Sequence, residues 1–147
     1  MAETLGSLSD KLTIVKLKQF HTEDTERLES LSAQEIQLQN EIDEFVADAV
    51  AGRIAPERLT FASNKVFKKE GNETADVQGD LGATVSQLAD VNCRLWHAQE
   101  TVYEFEKIAA EDKDGIVKQL ALLNLERNKC IDHIDRSFLA LVTSIHV

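Results

Sequence analysis

Apolar side chains recur at three- and four-residue intervals along most of this chain, the spacing that gathers them on one face of an α-helix. Leu8, Leu12, Val15, Leu17, Phe20, Leu28 and Leu31 form the first such stripe. It predicts a helix starting at a Ser7 or Ser9 cap and running to about Ser30. Ser32-Ala33-Gln34-Glu35 then has the spacing of a capping box, with Leu31 and Ile36 placed as a hydrophobic staple around it. A second helix is expected from there, with Leu38, Ile42, Phe45, Val46, Ala49 and Val50 inward and Gly52 as its left-handed stop. One unbroken helix is the alternative, because Leu28, Leu31, Leu38, Ile42, Phe45 and Ala49 keep heptad register.

Pro56, the only proline, fits the first turn of a short helix with Leu59, Ala62 and Val66 on one face. From Lys69 to Gly82 the composition turns to Gly, Asn, Asp, Glu and Thr, an exposed loop. The seam of Leu88, Val91, Leu95, Ala98, Val102, Phe105 and Ala109 is the clearest heptad run and predicts a third long helix. A break at Ala110 to Asp114 precedes a last helix from about Gly115 to near the C-terminus, with Asp112 or Asp114 as its cap. So short a connection makes these two helices antiparallel neighbours. The expected fold is all-α, an antiparallel up-and-down bundle of four to five helices forming one domain over residues 1–147.

The last seam carries Val117, Leu120, Ile131, Ile134, Phe138, Leu141 and Ile145, but polar Asn124 and Arg127 occupy two of its seats. His21 and Asp24 keep seam spacing with Ile14, Leu17, Leu28 and Leu31, so a polar layer inside the bundle is expected, with Asn124 or Arg127 meeting His21, Asp24, His97 or Glu100 across helices. His21 with Asp24 and His97 with Glu100 are pairs three residues apart, each able to share a proton or a cation. Di-iron carboxylate bundles order such pairs the other way round, and no His-x-x-x-His or Cys-x-x-Cys occurs, so no metal or other cofactor is expected. Glu41 and Glu44 match half of a magnesium-dependent pyrophosphatase pattern, but Gln87 stands before Asp90 where a carboxylate is needed. Nucleophile elbows and phosphate-binding glycine loops are absent as well, which leans the reading away from an enzyme without deciding it.

Acidic residues outnumber basic ones 26 to 16, for a formal charge of -10. That sign repels phosphate backbones and anionic lipid, so neither nucleic acid nor membrane is an expected partner; Lys65, Lys68 and Lys69 form the one local basic run. No signal peptide and no stretch near the ~20 apolar residues of a membrane span can be read, and a cytoplasmic protein is expected. Cys93 and Cys130, each among apolar neighbours in a helical stretch, are expected to be reduced and buried. Trp96 reads as a core-edge aromatic or a docking anchor.

Leu95-Trp96-His97-Ala98-Gln99-Glu100, Leu123-Asn124-Leu125-Glu126-Arg127-Asn128 and Ile131-Asp132-His133-Ile134-Asp135 resemble the C-terminal core of an uncharacterised bacterial all-helical family known only as a domain of unknown function. Phe20-His21-Thr22-Glu23-Asp24 is similar to a stretch near that family's start, while Gln99 and Tyr103 depart from its pattern. The resemblance implies an all-helical protein without an assigned reaction. It singles out His21, Asp24, His97, Asn124, Arg127, Asp132 and Asp135 as the shared polar set. A helical module that binds protein partners or a second copy of itself is the expected function, with a small metal- or nucleotide-dependent enzyme or ligand binder built on the polar layer as the alternative.

Overall fold

The computed structural model describes residues 2–62, 74, 77 and 79–146. Among them are four α-helices and no strand: α1 (Leu5–His21), α2 (Thr25–Val50), α3 (Leu81–Tyr103) and α4 (Ala110–Ile145), with single 3-10 turns at Pro56–Arg58 and Phe105–Lys107. Val66, the lysines at 65, 68 and 69 and most of the expected loop at 69–82 lie outside the described residues. Within them, no helix is long and apolar enough to cross a membrane.

The first helix boundary falls earlier than the hydrophobic stripe suggests. Thr4, not Ser7 or Ser9, caps α1: its side chain accepts from the Ser7 amide while Ser7 reaches back to the Thr4 amide, closing a capping box. The chain turns at 22–24, where Asp24 caps α2 by accepting from the Arg27 amide at 3.1 Å. The Ser32 capping box therefore goes unused in the middle of a helix, because the extended Thr22 and the Asp24 cap break the chain one helical stretch sooner. Gly52, at φ 78°, supplies the left-handed step after α2. α4 begins at Ala110, so Asp112 and Asp114 sit within its first two turns instead of capping it.

Helix directions alternate along the chain. α1 meets α4 in opposite sense, Gly6 beside Asp135 and Asp10 beside Arg127. It meets α3 in the same sense, Asp10 beside Asn92 and His21 beside Trp96. At the far end His146, just past α4, reaches the Val50 carbonyl at 2.8 Å, joining the ends of α2 and α4. α1 packs against all three other helices. At Gly6 it lies tight against α4, where a Cβ would stand 2.5 Å from the Ile131 carbonyl oxygen.

Leu59, Leu88, Val91, Ala49, Cys130 and Ile134 are wholly excluded from water, with Leu5, Leu95, Leu123, Ile131, Phe138 and Val142 around them. Burying each large aliphatic or aromatic side chain contributes about 1.5–3 kcal/mol. The core has a sharp limit, since nothing in α3 beyond Ala98 and nothing in α4 before Leu123 is fully buried. The α4 seam also rotates away from its heptad register: Val117, Leu141 and Ile145 are more than half exposed. The buried stripe is instead Leu123, Glu126, Cys130, Ile134, Phe138 and Val142. A straight helix of 3.6 residues per turn drifts about 20° per heptad, enough to carry both ends of a four-heptad seam out of the core. Cys93 is exposed, against expectation, and Cys130 is buried; both are free thiols.

Candidate functional site

Polar groups do meet in the interior, but through a different set of residues. Asp10, nearly inaccessible, accepts from Asn92 Nδ2 at 2.9 Å, and the same amide donates to Thr13 Oγ1 at 2.8 Å. Arg127 Nε stands 3.3 Å from Asp10 Oδ1, close enough for ion pairing though out of line for a hydrogen bond. Glu126 is buried beside Arg94, whose Nη2 donates to it at 3.0 Å while Nε holds Asp90. Burial alone would lower the Arg94 pKa, yet the bond and charge of Glu126 and the charge of Asp90 outweigh it and raise it. The neighbouring Cys130 thiol is pushed up to about 11 by desolvation and then by the Glu126 charge, which keeps it protonated and inert.

Asp135 is the most perturbed carboxyl. Its Oδ1 accepts from the Gly6 amide at 2.7 Å, yet desolvation dominates and lifts its pKa to about 6; Asp132 nearby adds to the lift, while the Gly6 and Thr4 hydrogen bonds oppose it. Asp135, Asp132, Asp10 and Arg127 share a notch of about 150 Å³ between α1 and α4 with Thr4 and Ser7, smaller than the ~300 Å³ at which organic-ligand sites begin. These contacts fix the register of α1 on α3 and α4. Among the described residues no three His, Cys, Asp or Glu side chains are grouped as a metal ion would need.

The sequence candidates divide between two ends of the molecule. Arg127, Asp132 and Asp135 gather at the notch, whereas Asn124 bonds within its own helix, to the Leu120 carbonyl at 3.1 Å. His21 and Asp24 are exposed because α1 stops at His21 and the chain turns there, breaking the seam that would have carried them inward; His97 and Glu100 are exposed because they lie off the Leu88, Val91, Leu95 and Ala98 stripe that α3 buries. Neither Asn124 nor Arg127 bonds to any of those four. Asp10, Asn92 and Glu126 carry the interior contacts that sequence reasoning missed. A signal existed: Asn92 lies between Leu88 and Leu95, and Glu126 between Leu123 and Cys130, both on seam spacing.

The exposed group is nonetheless organised. His21 stacks on Trp96, ring centroids 4.5 Å apart and 18° from parallel, with His97 edge-on at 6.2 Å and Phe20 edge-on at 5.2 Å. A carbonyl can only accept, so the 2.8 Å contact from His21 Nδ1 to the Leu17 oxygen puts a proton on Nδ1 and turns Nε2 outward. His97 Nδ1 faces Glu100 at 3.7 Å. Beside this cluster opens a cavity of about 450 Å³ lined by Lys18, His21, Thr22, Arg27, Ser30, Leu31, Gln34 and Trp96.

Past the core, α3 and α4 continue together as a two-helix hairpin. Val102, Phe105, Ile108, Ile116 and Leu120 are only half-buried along it, while Tyr103 (80%) and Val117 (51%) are exposed. Lys113 sits 4.7 Å above the Phe105 ring and Lys107 pairs with Glu104. Glu106, Glu111, Asp112 and Asp114 leave the hairpin acidic. No protein-family model, no curated protein and no solved structure matches this chain.

Proposed function

We propose that this is a cytoplasmic, non-enzymatic protein-interaction module whose α3–α4 hairpin receives an amphipathic helix with basic flanks from another protein. The reading is carried by one observation: the apolar seam runs on beyond Ala98 and Leu123, where the core stops, and stays half-covered. Two helices bury only one side of such a seam, and a third completes it. Charge selects the occupant. The hairpin is acidic and the whole chain carries -10, so a second copy is repelled and a Lys- or Arg-flanked helix is drawn in. An oily centre inside a charged, solvent-accessible rim is the ordinary arrangement of such an interface.

The test is a fluorescently labelled helical peptide with a leucine stripe and lysine flanks, titrated against the full chain beside a peptide of identical composition but scrambled order. At least ten-fold tighter binding of the patterned peptide is expected, and Val117→Asp with Tyr103→Asp should abolish the difference. Equal binding of both peptides would reduce the attraction to bulk charge and reject the hairpin as a docking site. A concentration-dependent dimer that Val117→Asp dissolves would put a second copy in the partner's place.

A further inference from the structure

We propose that the cavity between α1, α2 and Trp96 binds a phosphomonoester carried on a flat ring, the chemical class of a nucleoside monophosphate. In a chain of such negative charge, this cavity is lined by no Asp or Glu. Lys18 and Arg27 both line it, and neither forms an ion pair among the described residues. Several neighbouring carboxylates are engaged elsewhere: Asp24 caps the Arg27 amide, Glu35 takes Lys16 and Gln19, Glu100 faces His97, and Glu3 and Glu41, which share a second cavity with Lys18, take Lys11 and Gln37. Two uncompensated cations at one concavity favour an anion.

The donor set separates phosphate from carboxylate. Arg27 offers a planar fork, Lys18 a point charge, and Ser30 a hydroxyl whose proton is free because Gln34 Nε2 already donates to its oxygen at 3.3 Å. A carboxylate has two oxygens for these groups, whereas a phosphomonoester presents three. A bare anion, though, would leave most of the 450 Å³ unfilled, a volume in the range of small organic ligands. Leu31 and the Trp96 indole, already one member of a stacked pair with His21, form the apolar wall for a second flat ring. The site is separate from the hairpin, so it stands or falls independently of the docking reading.

Trp96 is the only tryptophan, so its fluorescence reports on this cavity without labelling. Full-length protein is titrated with adenosine monophosphate, adenosine and inorganic phosphate, and calorimetry gives the stoichiometry. The monophosphate should change the emission saturably at one site, with adenosine and inorganic phosphate each at least ten-fold weaker. Lys18→Gln with Arg27→Gln should weaken the monophosphate more than ten-fold at an unchanged thermal midpoint, both side chains being exposed; Ser30→Ala, a smaller change, should weaken it by a few-fold. The proposal fails if no saturable change occurs, if the double variant binds like the parent, if adenosine matches its monophosphate, or if inorganic phosphate matches it.

Discussion

The two ends of the α3–α4 pair are built from the same helices and differ in what covers them. Between Leu81 and Ala98, α3 is flanked by both α1 and α4, and Leu88 and Val91 are wholly buried. Beyond Ala98 the same helix has α4 as its companion, and Val102, like Ile108 in the connection that follows, remains half in water. Apolar patterning thus sets where a core can form, but the reach of α1 and α2 sets where it does. The uncovered seam is what remains for a partner.

That contrast is sharpest under truncation. Ile134→Ala empties a site with no solvent access and should cost about 4 kcal/mol, while Ile116→Ala in the hairpin should cost about 1 kcal/mol. Urea denaturation of the two variants measures both, and equal losses would mean that the hairpin is covered as fully as the core.

Next in size is the carboxyl at the closed end. Asp135 titrates near 3.8 when unfolded and about 6 when folded, so the protonated form is favoured by folding. Its contribution is fully present below pH 3.8, is lost as pH rises through 6, and the loss saturates at about 3 kcal/mol. Asp135→Asn keeps an oxygen for the Gly6 amide and has no charge to bury. The variant should therefore gain on the parent progressively between pH 4 and 6.5, as followed by denaturation at a series of pH values. A constant difference across that range would show that Asp135 is solvated.

The smallest of these effects concerns the helix crossing. Gly6→Ala drives a Cβ against the Ile131 backbone and the Asp135 carboxylate, an overpacking expected to cost about 2 kcal/mol. Gly115→Ala in the hairpin, where the new Cβ meets nothing within 4 Å, should be neutral or stabilising by a few tenths of a kcal/mol through helix propensity. The thermal midpoint should fall for Gly6→Ala and hold or rise slightly for Gly115→Ala.

Helix number, order and the antiparallel α3–α4 hairpin were legible in the spacing of apolar residues, because burial on one face imposes that spacing directly. The boundaries were less so. Asp24 and Ser32 both carry capping chemistry, and the choice between them rests on tertiary packing that a linear pattern does not contain. Arg127 was readable as inward because it interrupts an oily stripe, whereas Asp135 was singled out only by the family resemblance; their partners Asp10 and Gly6 lie on α1, more than a hundred residues away, and depend on how the rods cross. His21 and Asp24 kept seam spacing and still ended outside, since α1 stops at His21. Heptad register failed at both ends of α4 for a geometric reason, the gradual rotation of a straight helix.

The unequal fates of the two thiols make the molecule its own conformational clock. Cys93 stands in water on α3, while Cys130 is sealed in the interior and held protonated. An alkylating reagent meets one sulfur in the native molecule and two once it opens. The second equivalent consumed, followed over time, counts excursions out of the folded state under conditions where no denaturant is present.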